Sequence, residues 1–94
     1  MFMECTKFSL GRILITPGVL GALEETEESP WGFLRRHALG DWGELCAEDR
    51  KENEFALGKP LRLFSAYLLR DGQKLWIITE ADRSATTLLL PSEY

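Results

Sequence analysis

The sequence predicts a single small α+β domain, in which three short helices cover one face of a mainly antiparallel sheet of about four strands. Two observations support this fold class. The last third of the chain alternates apolar runs with tight-turn signals, which is typical of β-hairpins in series. The first two thirds contain two Ser/Thr-Pro pairs, each typical of a helix start. The predicted order over residues 1–94 is β-α-α-α-β-β-β, and a hydrophobic content of 45% suffices for one compact core.

The first predicted strand is Phe8–Ile15, which is rich in β-branched and aromatic residues. Gly11 interrupts this run, so it either weakens the strand or marks a bulge. Residues 1–7 precede the strand and are a candidate flexible arm.

The first two predicted helices begin at their Ser/Thr-Pro pairs. Thr16 and Ser29 are the expected N-cap residues, and the following proline is tolerated at the first helical position. Gly40 is expected to end the second helix. The apolar stripe of the first helix is Val19, Leu20 and Leu23, and that of the second is Trp31, Leu34 and Ala38.

The third predicted helix follows a possible capping box. Asp41 and Glu44 have the Asp-x-x-Glu spacing, in which the two ends of the first turn satisfy each other's backbone donors. The helix is expected over 45–57, where Gly58 ends it.

The final third predicts three strands, Leu61–Leu69, Lys74–Thr79 and Thr86–Leu90. An Asp-Gly pair between apolar runs is the strongest short-range hairpin signal, and a two-residue loop at 71–72 would place Tyr67 opposite Trp76.

This register assigns the side chains to two faces. The face expected to pack on the helices is Phe64, Ala66, Leu68, Leu75, Ile77, Leu88 and Leu90. The opposite face is Leu63, Ser65, Tyr67, Leu69, Trp76, Ile78, Thr87 and Leu89. The second face is too apolar to remain exposed, so we expect a helix, the N-terminal arm or a second copy of the chain to cover it.

Charge is distributed unevenly along the chain. The formal net charge is −4, and residues 24–54 hold ten acidic but only four basic residues. This segment is therefore a poor match for a phosphate backbone. It suits either a basic partner surface or a solvated face that keeps the protein in solution.

Four segments carry a family resemblance: residues 40–44, 48–54, 65–67 and the run from Trp76 to Thr87. In these segments the chain resembles a family of short uncharacterised bacterial proteins carried on plasmids and integrated mobile elements, over Phe8–Tyr94. The resemblance implies a cytoplasmic protein and provides no activity or site residues.

The first functional interpretation is a non-catalytic protein-interaction module. A tryptophan in a turn is typical of a binding hot spot, and the acidic helix and the second sheet face are further candidate surfaces. The second face would also suit a homodimer. The candidate residues are Asp41, Trp42, Glu44, Glu48, Glu52, Tyr67 and Trp76.

The second interpretation is a small metal-dependent enzyme acting on a phosphodiester. Asp49 and Asn53 share a helix face, and Asp41 and Arg83 would complete a polar cluster suited to a hard cation and a phosphate. The spacing matches no metal motif, so we assign no catalytic residue, metal or cofactor. The alternative is that Asp41 caps a helix, Asp49 and Asn53 bond the backbone, and Arg83 pairs with a carboxylate.

Two further residues could carry nucleophilic chemistry. His37 borders the apolar stripe of the second helix and is expected to be a partly buried surface residue. Cys46 lies near a predicted helix start, where thiolates are favoured. Nothing in the sequence brings the two together, so a Cys–His site is not assigned.

The third interpretation is a single-strand nucleic-acid binder. Tyr67 and Trp76 could stack bases, with basic residues near the sheet edges. No ribonucleoprotein motif is present, so we interpret Tyr67 and Trp76 as a packed cross-strand pair. We therefore expect no nucleic-acid partner. No apolar run reaches the roughly 20 residues that cross a bilayer, so we expect no membrane partner.

Overall fold

Three helices pack on one face of a four-stranded sheet in the computed structural model, which describes residues 6–94. The domain is α+β, and the predicted element order is confirmed. The strands lie side by side in the order β1-β4-β3-β2, with β1 parallel to β4 and the other pairs antiparallel. The elements are β1 Arg12–Ile15, α1 Pro17–Thr26, α2 Pro30–Ala38, α3 Ala47–Ala56, β2 Leu63–Leu68, β3 Lys74–Thr79, β4 Ala85–Leu89 and a 3₁₀ turn Pro91–Glu93.

The predicted starts of α1 and α2 are confirmed. The Thr16 hydroxyl accepts a hydrogen bond from the Val19 N–H at 3.3 Å, and the Ser29 hydroxyl accepts one from the Trp31 N–H at 3.2 Å. Each bond satisfies a backbone donor that the first helical turn would otherwise leave unpaired. Gly40 follows the end of α2 with a φ of +84°, the left-handed conformation that glycine adopts without strain.

Two residues of the predicted apolar stripes are exposed. Leu20 is 54% exposed and Trp31 is 63% exposed, whereas the neighbouring Phe33 and His37 are buried. The buried face of α2 is therefore rotated towards Phe33 and His37 relative to the prediction.

The predicted capping box is wrong. α3 begins at Ala47, and its N-cap residue Cys46 makes no side-chain capping bond. The Asp41 carboxylate instead accepts hydrogen bonds from the Arg36 guanidinium at 2.7 Å and from the Gly43 N–H at 3.2 Å. The segment after it lies along β2, where the Glu44 N–H donates to a main-chain carbonyl at 2.6 Å.

The predicted register of the first hairpin is also wrong. The Leu69 N–H donates to the Gln73 carbonyl at 2.8 Å, so the loop has three residues rather than two. Gly72 takes the left-handed position of this loop, with a φ of +88°. The extra loop residue shifts the pairing by one, which places Ala66 opposite Trp76 and turns every β2 side chain to the other face.

The register of the second hairpin is as predicted, because Thr79 lies opposite Thr86. The face that packs on the helices, called the inner face, therefore combines correctly predicted β3 and β4 residues with β2 residues predicted for the opposite face. Leu75, Ile77, Leu88 and Leu90 were assigned correctly. The residues from β2 and its end that face the helices are Leu63, Ser65, Tyr67 and Leu69, in place of Phe64, Ala66 and Leu68.

The first strand is shorter than predicted. Gly11 has a φ of +64°, and a Cβ at this position would overlap the Ser84 backbone, so regular strand begins only at Arg12. Phe8 packs between aromatic rings of the core instead. Residues 1–5 of the candidate arm lie outside the described residues, while the Lys7 N–H donates to the C-terminal end of α2 at 2.8 Å.

No helix within residues 6–94 is long and apolar enough to cross a membrane.

Candidate interaction surface

The face of the sheet opposite the helices, called the outer face, is largely apolar. The helices pack on the inner face, where α1 and α2 share one core with β3 and β4. On the outer face, Leu14 of β1 is 41% exposed and Leu68 of β2 is 48% exposed. The side chains of the outer face are Arg12, Leu14, Phe64, Ala66, Leu68, Lys74, Trp76, Ile78, Ala85, Thr87 and Leu89.

Three aromatic rings form a groove on the outer face, called the outer groove. Phe64 and Trp76 meet edge to face with ring centroids 5.2 Å apart, and Tyr94 meets Trp76 at 5.8 Å. The groove has a volume of about 280 Å³ and is completed by Ile78 and Arg62. Its walls are apolar except for one guanidinium, a composition typical of a surface that binds an apolar side chain.

The C-terminal turn holds Tyr94 over the groove. The neighbouring Glu93 carboxylate accepts hydrogen bonds from the Thr16 hydroxyl at 2.6 Å, the Gly18 N–H at 3.1 Å and the Leu90 N–H at 2.8 Å. These bonds hold the pKa of Glu93 below its usual value. An anion at the first turn of α1 is also favoured by the helix dipole. Through Glu93, the residue next to Tyr94, the wall of the groove is thus attached to the start of α1.

One cation, Arg62, lines the outer groove. Arg62 lies 3.6 Å from the Glu80 carboxylate and 3.4 Å from the Tyr94 hydroxyl, so its charge is partly balanced. Arg12 and Lys74 lie on the same face, at the β1 edge and at the start of β3. Arg62 is the one charged side chain among the described residues that line the groove, so a carboxylate of a partner could pair with it there.

Two of the aromatic residues predicted for interaction are part of the core. Trp42 is 4% exposed, stacks with Phe8 and donates its indole N–H to Glu54 at 2.8 Å. Tyr67 is 1% exposed, and its hydroxyl donates to the Asp41 carbonyl at 2.6 Å. Burial raises the pKa of Tyr67. Trp76 is on the outer face, so the predicted Tyr67–Trp76 stacking pair does not exist.

The predicted acidic residues lie at the surface. Glu44, Glu48, Asp49 and Glu52 are all exposed. Asp49 and Glu52 line a second groove beside Asn53, of about 530 Å³, which is more polar than the outer groove.

The predicted polar cluster is not assembled as a site. The Asn53 amide is 4% exposed, and it both donates to the Phe64 carbonyl at 2.6 Å and accepts from the Phe64 N–H at 3.0 Å. Asp41 pairs with Arg36, which lowers the pKa of Asp41. Asn53 therefore joins α3 to β2, and Asp41 is engaged elsewhere.

Arg83 is used to join loops. It has a φ of +62°, and its guanidinium donates to five main-chain carbonyls at N···O distances of 2.6 to 3.1 Å. The carbonyls belong to Ala56, Lys59, Leu61, Glu80 and Ala81. Within residues 6–94 no group of three His, Cys, Asp or Glu side chains is placed to hold a metal ion.

The structure contains a buried polar chain that the sequence did not predict. His37 is fully buried rather than at the surface, and hydrogen-bonds Ser65 through Nδ1 and Thr79 through Nε2, the latter at 2.9 Å. Thr79 bonds Thr86 at 2.7 Å, and the Thr86 hydroxyl donates to the Leu10 carbonyl at 2.7 Å. The chain crosses β2, β3 and β4 beneath α2.

The donors of this chain fix the tautomer of His37. Thr86 uses its one proton on a carbonyl, so Thr79 must donate to Thr86 and accept from His37 Nε2. His37 Nδ1 then accepts from the Ser65 hydroxyl. Burial disfavours the charged ring and lowers the pKa of His37 to about 3. The chain is neutral and fully bonded, which is the condition for stable burial.

Comparisons with family models, curated proteins and solved structures gave no match to this chain. The functional assignment therefore depends on the geometry of the described residues. Asn53 and Arg83 hydrogen-bond main-chain groups and so join elements of the fold, whereas the outer groove is open to solvent.

The outer groove was only partly predictable from the sequence. It identified Trp76 and an excess of apolar residues, but it assigned Phe64 to the core because of the register error. Arg62 was considered only among the basic residues near the sheet edges, and Tyr94 was not a candidate. Their proximity depends on the C-terminal turn, whose anchoring to α1 joins positions far apart in the sequence.

Proposed function

We propose that this chain is a non-catalytic protein-interaction module that binds an acidic segment of a partner protein in the outer groove. The observation that supports the proposal is the open outer face, where Phe64, Trp76 and Tyr94 form an apolar groove beside Arg62. Aromatic and arginine side chains are the ones most enriched at binding hot spots.

The chemistry of the groove specifies its occupant. An apolar or aromatic side chain of the partner fills the space between Trp76 and Tyr94, and a neighbouring carboxylate pairs with Arg62 in place of the loose contact to Glu80. Further acidic residues of the partner face Lys74. The mobile-element origin and the cytoplasmic location implied by the family resemblance are compatible with such an adaptor and stay predictions.

The polar residues support binding over catalysis. Asn53 and Arg83 have their donors on main-chain carbonyls, so an enzyme that used them would first have to break contacts that join elements of the fold. Asp41 pairs with Arg36 at 2.7 Å and does not line the second groove, where Asp49 lies.

Selection from a displayed library of random peptides tests the proposal. The library is sorted in parallel on the wild-type protein, on Trp76→Ala and on Arg62→Glu. We expect the wild type to enrich acidic peptides that contain an aromatic or large aliphatic residue, and both variants to lose this enrichment. The matched control is Trp31→Ala, which removes an exposed tryptophan from the helical side and should retain the selected peptides.

A second titration separates protein binding from nucleic-acid binding. In a Trp31→Phe background, Trp76 is the only solvent-accessible indole within residues 6–94, because Trp42 is buried. Addition of a single-stranded oligothymidine should leave its fluorescence unchanged at low salt. A salt-dependent fluorescence change, together with no enrichment of acidic peptides, would replace the proposal with single-strand nucleic-acid binding.

A further inference from the structure

The sheet has one covered edge and one open edge within residues 6–94. At the β2 edge, the segment after α2 adds a short parallel bridge, in which Gly43 lies beside Ala66. At the other end of the strand order, β1 pairs with β4 on one side and has no strand on its other side. Exposed strand edges offer unpaired backbone groups that another chain can bind.

The backbone groups on the open edge can be identified. The Arg12 N–H donates at 3.0 Å to the carbonyl of Ser84, the residue before β4, and the Thr16 N–H donates at 3.1 Å to the Leu88 carbonyl of β4. Alternate residues of a strand direct their backbone groups to the same side, so Leu14 also faces β4. The N–H and C=O groups of Ile13 and Ile15 therefore point away from the sheet.

We propose that a second copy of this chain pairs antiparallel with β1, with Leu14 opposite Leu14 on a two-fold axis. In this register Ile13 of each copy exchanges two hydrogen bonds with Ile15 of the other, which satisfies all four outward groups of each strand. Moving the axis to Ile15 would bring Pro17, which has no N–H, opposite Ile13. Moving it to Ile13 would bring Gly11, whose φ of +64° is not that of a strand, opposite Ile15.

The side chains of β1 are complementary to themselves in the same register. Leu14 is 41% exposed, and the two copies of it would cover each other on the outer face. Arg12 would lie opposite Thr16 of the second copy, whose hydroxyl is bonded to the Glu93 carboxylate at 2.6 Å. The two-fold axis produces this Arg12–Glu93 proximity twice, so opposite charges meet at both ends of the contact.

The contact is short, since β1 has four residues. A small interface is typical of weak, concentration-dependent association, so we expect monomer and dimer to exchange over loading concentrations of about 5 to 500 µM. The contact is also separate from the outer groove, which lies on β2 and β3, so failure of either proposal leaves the other intact.

Sedimentation equilibrium of the full chain tests the dimer with a matched pair of variants. Leu14→Lys places two like charges on the proposed axis and should abolish the dimer. Leu68→Lys makes the same change on the outer face at the covered edge, where the side chain is similarly exposed, and should leave the dimer intact. Circular dichroism verifies that both variants are folded.

A second pair of variants tests the charge contact without changing the apolar surface. Arg12→Glu should raise the dissociation constant about tenfold, because it sets an acid against Glu93 of the second copy. Lys74→Glu, away from β1, should not change it. Hydrogen exchange of the Ile13 and Ile15 amides should slow as protein concentration rises.

Three results would overturn the dimer proposal. The first is a monomer at all concentrations. The second is a dimer that Leu68→Lys disrupts and Leu14→Lys preserves, which would show stacking of outer faces. The third is exchange of the Ile13 and Ile15 amides that does not depend on concentration.

Discussion

The burial of His37 makes the stability of the fold depend on pH in a specific window. In the folded protein the pKa of His37 is about 3, because burial disfavours the imidazolium, whereas an unperturbed histidine has a pKa of 6.5. A depressed pKa in the folded state means that the unfolded chain binds a proton that the folded chain rejects. Stability is therefore fully present above pH 6.5 and is lost as the pH falls towards 3.

The size of the effect follows from one proton. Between pH 6.5 and 3 the free energy of unfolding should fall by about 1.4 kcal/mol per pH unit. From pH 7.5 to pH 5 the loss is about 2 kcal/mol, a large part of the typical 5–15 kcal/mol of a small domain. His37 is the single histidine of the chain. The carboxyl groups of Asp41 and Glu93 have lowered pKa values, so their contributions change at lower pH.

Urea unfolding at pH 7.5, 6.5, 5.5 and 5.0 measures the slope. The fluorescence of Trp42 reports on the same region, because its ring centroid lies 5.7 Å from that of His37. The control is His37→Gln, which should be less stable at pH 7.5, since it disturbs the buried polar chain, but should lack the slope between pH 7 and 5. Nitrogen-15 spectra should show the proton on Nε2 and a bare Nδ1, with no titration in the folded state.

Either of two results would refute this account of His37. One is a free energy of unfolding that is the same at pH 7.5 and pH 5. The other is a His37 resonance that titrates with a midpoint near 6.5 in the folded protein, which would place the ring in contact with solvent.

Three further predictions concern residues that join elements, and urea unfolding at pH 7.5 measures each of them. Asn53→Ala should cost about 2–3 kcal/mol because it leaves a β2 N–H and C=O unpaired, whereas Glu52→Ala beside it should change stability by less than about 0.5 kcal/mol. Gly43→Ala should lower the free energy of unfolding by about 2–5 kcal/mol, because Gly43 has a φ of +74° and an added Cβ would overlap a β2 carbonyl. Gly72→Ala should lower it by only about 1–2 kcal/mol, because Gly72 has a φ of +88° but its Cβ would enter open space. Arg83→Lys should cost about 1–3 kcal/mol because an ammonium cannot reach the carbonyls that the guanidinium joins. Equal losses of unfolding free energy within either pair of variants, or no loss for Arg83→Lys, would contradict these assignments.

Most of the fold could be predicted because its signals are local. The hydroxyls of Thr16 and Ser29 each accept a hydrogen bond from a backbone N–H no more than three residues along the chain. Gly40 follows α2 with a left-handed backbone conformation that depends on the glycine itself. The second hairpin also has a local signal, and its register was predicted correctly.

The register of the first hairpin could not be fixed in the same way. An Asp-Gly pair occurs both in two-residue loops and at the end of three-residue loops with a left-handed glycine. The two choices differ by one residue, yet they exchange Tyr67 and Phe64 between core and surface. Because both faces of β2 are apolar, hydrophobic alternation did not discriminate between them.

The candidate site was predicted less well because its contacts are not local. His37 could be placed only by knowing that Ser65 and Thr79 would lie beneath α2, and Arg83 only by knowing which carbonyls its loop would meet. Neither contact leaves a periodic pattern or a motif. The sequence showed that these polar residues were present, but the fold decides which of them make hydrogen bonds within the domain and which surface stays exposed.

The parallel pairing of β1 with β4 also has a consequence for how the chain folds. The strands β2, β3 and β4 are connected by short loops and can form hairpins in about 1–10 µs, while β1 must close a loop that contains three helices and two strands. Such a long closure carries a high entropic cost, so β1 should join the sheet late. During synthesis on the ribosome, Ile13 and Ile15 emerge before β4 and lack this pairing until β4 has been translated, so β1 exposes its apolar residues for longer than the strands that pair in hairpins.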